Sequence, residues 1–309
     1  MKQTQGPPRV KAAPDGVVVV NKPAGWTSHD VVARMRGIAG TRRVGHLGTL
    51  DPIATGVLPL MIGQATRLAR FLENSSKTYE AVVRFGFATT TYDRAGEPGP
   101  ASEVRLTPEL LENALAPMRG EIDQVPPPVS AKKVGGVAAY KLVRQNVAVE
   151  LAPVRITVHS LELIGFDEDR ARIRVKCSTG TYIRSIAHEW GKALGCGAHI
   201  EELVRTTSGA FDLEHAWTLE ALQELKDEGR LAEAVLPMGE LPPTMAAVSV
   251  DETTMRQIRQ GRDFHVSAFR ANPNAEYIRA LGPDGGLVAI GQIVLPHMYH
   301  PVVVMVDEL

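Results

Sequence analysis

The stretch GHLGTLDPIATGVLPLMIG, Gly45 to Gly63, sets a single carboxylate, Asp51, between a glycine-studded loop and an apolar strand. The nearest acids in sequence are Asp30 and Glu73, so Asp51 has no local partner. Glycines at 45, 48 and 56 permit backbone conformations and close approaches that a side chain would block. Pro52 steers Asp51 towards extended geometry and away from a helix interior. An Asp-Pro pair is ordinarily an Asx-turn or a helix cap. Here Leu47, Leu50, Ile53, Val57 and Leu58 surround it. A cap gains nothing from such walls, whereas a nucleophile or general base gains reactivity from partial desolvation.

Outward from this loop, Val17–Val20 reads as a buried strand, and Ser28 as the cap of a helix carrying Val31, Val32 and Met35 and ending near Gly40. An apolar strand over 57–62 precedes a helix over 65–72, and 77–87 alternates as a strand. Thr107-Pro108 starts a helix running to Leu115. The prolines at 126–128 force an extended segment, and 140–144 has helical character. A hairpin follows, with arms 154–166 and 170–177. Its second arm turns Arg170, Arg172, Arg174 and Lys176 to one side, which predicts a cationic sheet face. A helix over 182–194 closes at Gly195. Leu241-Pro242-Pro243 reads as a linker to a small β-rich module, with turns at 272–274 and 283–286.

Composition sets the bounds. The chain has 309 residues, 44% hydrophobic and 22% charged, as expected of a soluble globular protein of about two domains. No secretory leader or membrane-length apolar run is seen, and two cysteines suit a reducing compartment. Net charge is only −1, but residues 1–60 carry +5 and residues 220–252 carry −6. A polyanion would meet the first region and avoid the second. No P-loop pattern occurs, His46 and Asp51 lack a third metal ligand nearby, and no second acid supports a paired-carboxylate glycosidase. Ser185 and His188, at i and i+3 of one helix, read as packing.

The segment GHLGTLDPIATGVLPLMIGQATRL resembles the central motif of the TruB family of tRNA pseudouridine synthases. NKPAGWTS (21–28), SKTYEAVVRFG (76–86), TYDRAG (91–96), STGTYIRS (178–185) and LGCGAHIEELVRT (194–206) extend the likeness. The resemblance implies isomerisation of uridine 55 in the TΨC loop by base flipping, without cofactor or metal. It implies an α+β fold: a mixed, largely antiparallel catalytic sheet around a central cleft, plus a small β-rich PUA-like domain. The expected division is a tail over 1–14, a catalytic domain over 15–240 and the RNA-binding module over 241–309.

By position, Asp51 matches the catalytic aspartate and Arg184 the arginine that pairs with it. Tyr79 matches the tyrosine that stacks on the base and is a candidate for proton transfer, as the base that removes a proton from the 2′ carbon or from C5. Tyr182 and Leu203 would line the uracil pocket, His46 would hold the extruded loop, and Lys22 would support the site. Asp93 sits in the family's T-x-D-x-x-G segment. Arg42, Arg43, Arg67, Lys132, Lys133 and Lys141 are candidate phosphate contacts. The implied partner is the T-arm of tRNA, met by a monomeric cytoplasmic enzyme with no membrane association. Val129 stands where the family has an aromatic residue, and Asn146 where it has glycine. A tRNA-binding factor without turnover, or a subunit of an RNA-guided complex, are the competing readings.

Overall fold

The computed structural model describes residues 13–73, 75–103, 105–130, 132–134, 137–138, 151–267 and 275–306. The main sheet is built from β1 (Gly16–Lys22), β2 (Val44–His46), β3 (Thr55–Ile62), β4 (Lys77–Phe85) and β5 (Gly120–Gln124). After a two-residue pair, β6 (Lys133–Val134) and β7 (Val137–Ala138), it continues with β8 (Val154–Asp167), β9 (Arg170–Cys177), β10 (Ala198–Ser208), β11 (Phe211–Asp212) and β12 (Leu236–Pro237). Its order is β12-β1-β3-β10-β4-β9-β8-β5, with β2 against β3 and β11 against β10. Within it β3 and β10 run parallel, and the other pairings are antiparallel.

The valines of β1 and the apolar run of β3 are buried on both faces, which is why they read as continuous hydrophobic text. β4 instead alternates buried and half-buried positions. β10 sits at the centre of the sheet, although no sequence periodicity marked it. It buries Arg205 completely, so apolar counting passes over it.

The helix Ser28–Ala39 begins one residue earlier in its capping than expected. Thr27 accepts from the Asp30 amide while Asp30 answers to the Thr27 amide, a reciprocal capping box. This frees the Ser28 hydroxyl, which instead accepts from Leu50 N at 2.8 Å and donates to Leu50 O at 3.2 Å. Gly40 ends that helix at φ 68°. The segment expected as one helix over 65–72 is a 3₁₀ run, Gly63–Leu68, followed by one α-turn. The helices Pro108–Leu115 and Ile183–Ala193 lie where their caps placed them.

The cationic sheet face is half paired on folding, with Arg172 and Lys176 still exposed. Glu201 takes two hydrogen bonds from Arg170, and Glu80, across the β4–β9 ladder, takes two from Arg174. Cross-strand acids, invisible in a single strand's pattern, pair with those two arginines. The charge blocks also meet: the acidic helix Leu219–Asp227 packs on Ser28–Ala39, where Lys226 donates to Gly37 O and Arg34 to Gln223. They do not form two separate faces.

A separate β-rich domain follows: β13 (Ala247–Ser249), the helix Glu252–Arg259, β14 (Phe264–His265), β15 (Tyr277–Leu281), β16 (Leu287–Leu295) and β17 (Met298–Val304). Its sheet is ordered β13-β15-β16-β17-β14. It shares an apolar core with the main sheet, in which Val57, Met61 and Leu68 meet Leu287, Ile290 and Val303. Gln64 clamps both backbone groups of Val306 at 2.7 and 2.8 Å. Among the described residues no helix is long and apolar enough to cross a membrane. The tail beyond Ala13, the helical segment 140–144, Lys141, Asn146 and the turn 272–274 lie outside the described residues.

Candidate active site

A cavity of about 270 Å³ opens where the Asp51 loop, β4, β10 and the start of the helix Ile183–Ala193 converge. The loop reaches it because two glycines let strands and side chains crowd in. Gly56, at φ 101°, would put a Cβ 2.2 Å from Arg205 O, and Gly48, at φ 83°, would put one 3.0 Å from Lys77 Nζ. Gly45 has no such need, since a Cβ there would only touch Met61 at 3.5 Å. Asp51 O closes a turn by accepting from Ala54 N. The Asp51 side chain takes no local backbone hydrogen bond, so it is neither Asx-turn nor cap.

Both Asp51 oxygens belong to Arg184. Nε donates to Oδ2 at 2.8 Å and Nη2 to Oδ1 at 2.9 Å, a bidentate pair. The Arg184 side chain is 3% exposed and that of Asp51 is 32%, so the cation anchors and the carboxylate faces the opening. Arg184 also donates to Thr91 O and Val129 O, and its Nη1 lies 3.6 Å from Asp93 Oδ2. Val129 thus contributes its carbonyl, which the loss of an aromatic side chain leaves intact. Asp93 uses its other oxygen to accept from Thr91 Oγ1 and Ala95 N, bracing the loop that presents Thr91 O.

Tyr79 and Lys77 share one face of β4, and Leu203 and Arg205 share one face of β10, with Tyr79 directly opposite Arg205. All four line the cavity. Burial pushes the Tyr79 phenol up, against the pull of Arg205. The phenol lies against the cavity wall, where it can stack on a base. Arg205 is fully buried and donates to the carbonyls of Val57, Thr49 and Gly48, which pins the Asp51 loop to β10. Tyr182 lines the cavity as the residue before the helix. Gln124 fixes it there, accepting from its amide at 2.8 Å and donating to its carbonyl at 3.0 Å. Ser130, also in the wall, buries its hydroxyl near the Tyr182 phenol.

Lys22 lies behind the wall. Its ammonium donates to the carbonyls of Pro23, Trp26 and Pro52, and burial pushes it down to about 8. It braces the turn after Asp51 rather than facing the cavity. His46, on β2, stands outside the wall, half-buried with Nδ1 unpartnered. Burial first, then His29 and Arg205, pushes its imidazole down. Of the phosphate candidates, Arg42, Arg43 and Lys132 are exposed. Arg67 is otherwise engaged, donating to Val304 O across the two sheets. Lys133 is placed by its backbone in β6. Ser185 donates to Val125 O, and His188 stacks on Tyr92 with ring centroids 3.7 Å apart, so those two form no pair.

Sequence reasoning missed Lys77, Arg205, Gln124, Ser130 and the tie from Ser28 to Leu50. Only Lys77 carried a signal, the two-residue spacing to Tyr79 on an alternating strand.

The chain is similar to known proteins over most of its length. Residues 36–183 match the model of the TruB family pseudouridylate synthase (N terminal domain), and residues 184–241 match that of the tRNA pseudouridylate synthase B C-terminal domain. A tRNA pseudouridine synthase B of Solibacter usitatus (strain Ellin6076) is 58% identical over 94% of this chain and all of its own. One from Arthrobacter sp. (strain FB24) is 44% identical over 89% of this chain and 92% of its own. Among solved structures, a crystal structure of a Cbf5-Nop10-Gar1 complex superposes with a TM-score of 0.69 at 25% identity, covering 99% of this chain and 91% of that one.

Proposed function

The chain belongs to the TruB family of pseudouridylate synthases, enzymes that make pseudouridine in tRNA, and on that premise we propose that it converts uridine 55 of the T loop. The bidentate Arg184–Asp51 pair at the cavity mouth carries the reading, because it supplies one fixed carboxylate with a cation behind it.

The reaction breaks the C–N glycosidic bond and remakes a C–C bond to the same base. A stacked uridine is out of reach, so it must swing out at a cost of a few kcal/mol. Stacking on Tyr79 returns about 1–3 kcal/mol. Leu203 and Tyr182 bound the uracil, and the buried Ser130 hydroxyl offers its polar edge a hydrogen bond. Asp51 then attacks the ribose or the ring, or assists departure of the base. Arg184, held by Thr91, Val129 and Asp93, keeps the carboxylate aimed. Lys22 and Arg205 hold the loop from either side. His46, beside the cavity, contacts the extruded loop. Exposed Arg42, Arg43 and Lys132 meet phosphates, and the fold of 241–309 is PUA-like and touches the same RNA. We place the enzyme in the cytoplasm as a monomer.

Asp51→Asn is the test, assayed on a transcribed tRNA. The expected outcome is binding within a few-fold of wild type and no pseudouridine. Substantial product from the variant would end the assignment of Asp51. Binding without product from the wild type would favour a tRNA-binding factor.

A further inference from the structure

Three cations around the cavity have no carboxylate within 4 Å among the described residues: Lys22, Lys77 and Arg205. Lys22 gives all three of its donors, and Arg205 three of its five, to backbone carbonyls. Lys77 does not. Its side chain is 7% exposed, it lines the cavity, and its ammonium has one acceptor, Thr179 Oγ1 at 3.0 Å. An ammonium carries three donors, and a buried charge left short of partners is costly unless a ligand completes it. The opposite wall is shaved to admit one, because Gly48 has no side chain where a Cβ would stand 3.0 Å from Nζ. Thr179, having accepted from Lys77, still holds a hydroxyl hydrogen to donate.

The charges of the cavity point the same way. Asp51 and Asp93 are both turned on Arg184, which leaves Lys77 as the ammonium in the wall with donors to spare. We propose that Lys77, with Thr179, binds the phosphodiester adjoining the extruded nucleotide, an inference that rests on the uridine reading above. Side chains two apart on one strand face are separated by about 6.7 Å. A nucleotide seated with its base on Tyr79 therefore carries its own phosphate along β4 to Lys77. A phosphate contact buried beside the stacking residue senses whether the nucleotide has swung in, whereas exposed arginines bind the arm whether it has or not.

The test uses T-arm stem-loops whose phosphate 5′ or 3′ of the target uridine is replaced by a neutral methylphosphonate. Affinity and pseudouridine formation are both measured, for wild type and Lys77→Met. In wild type, one of the two substitutions should lower kcat/KM about ten-fold and weaken binding. Lys77→Met should show that loss already on unmodified RNA, show no further loss on that substituted RNA, and lower the slope of log K against log salt by about 0.7–0.9. Wild type indifferent to both substitutions, or losses that multiply in the variant, would overturn the proposal. The substituted RNAs probe the unaltered protein, so a poorly folding variant does not decide the matter. Binding is scored separately from product, so a wild type that binds but makes none would count against the uridine reading and not against this contact.

Discussion

At the residue scale, Arg184 works by geometry as much as by charge. Its guanidinium reaches Asp51 through two parallel hydrogen bonds while three further groups fix its plane. A lysine would supply the charge from a single point and lose the fork. Arg184→Lys should therefore lower kcat about 100-fold, equivalent to about 2.7 kcal/mol of barrier, while tRNA affinity stays within a few-fold. Single-turnover pseudouridine formation beside a binding isotherm separates the two. An equal loss of both would mean that the pair serves folding rather than chemistry. Asp51 itself was legible in sequence because a proline, glycines and leucines surround it. Two further partners of Arg184 were not, since Thr91 O and Val129 O are main-chain carbonyls from loops far apart in the chain.

At the element scale, neighbouring hydroxyls at the start of the helix Ser28–Ala39 have different work. Thr27 caps the helix, and its replacement by alanine should cost about 1 kcal/mol of stability with turnover unchanged. Ser28 reaches across to Leu50, next to Asp51, and both of its bonds are buried. Ser28→Ala leaves the Leu50 amide without a partner, at a cost of about 1–3 kcal/mol, and should also lower kcat by loosening the loop. Thermal melts and rate assays on the two variants check the contrast, which fails if both behave alike. The helices Ser28–Ala39 and Pro108–Leu115 and the strand β4 followed from caps and periodicity, whereas β10 did not. The assignment of the cap to Ser28 did not hold, because Thr27 and Ser28 are equivalent in sequence and only the approach of Leu50 separates them.

At the scale of the whole molecule, the two sheets are joined through one core. Ile290 is completely buried where β16 meets the main sheet. Ile290→Ala should cost about 2–5 kcal/mol and lower the unfolding temperature of both sheets together in a single calorimetric transition. Separate transitions, with only the smaller one shifted, would show that the domains are energetically independent. Sequence alone determined the family, the lone carboxylate and most secondary structure, because these are written in local spacing: glycine before a turn, proline after the aspartate, period two in β4. Tertiary structure alone decided which charges remain free. Arg170 and Arg174 are paired by acids on β10 and β4, Arg67 donates to the second sheet, and Lys77 is left with donors to fill. A residue's electrostatic task depends on what packs against it from elsewhere in the chain, and no spacing along one strand records that.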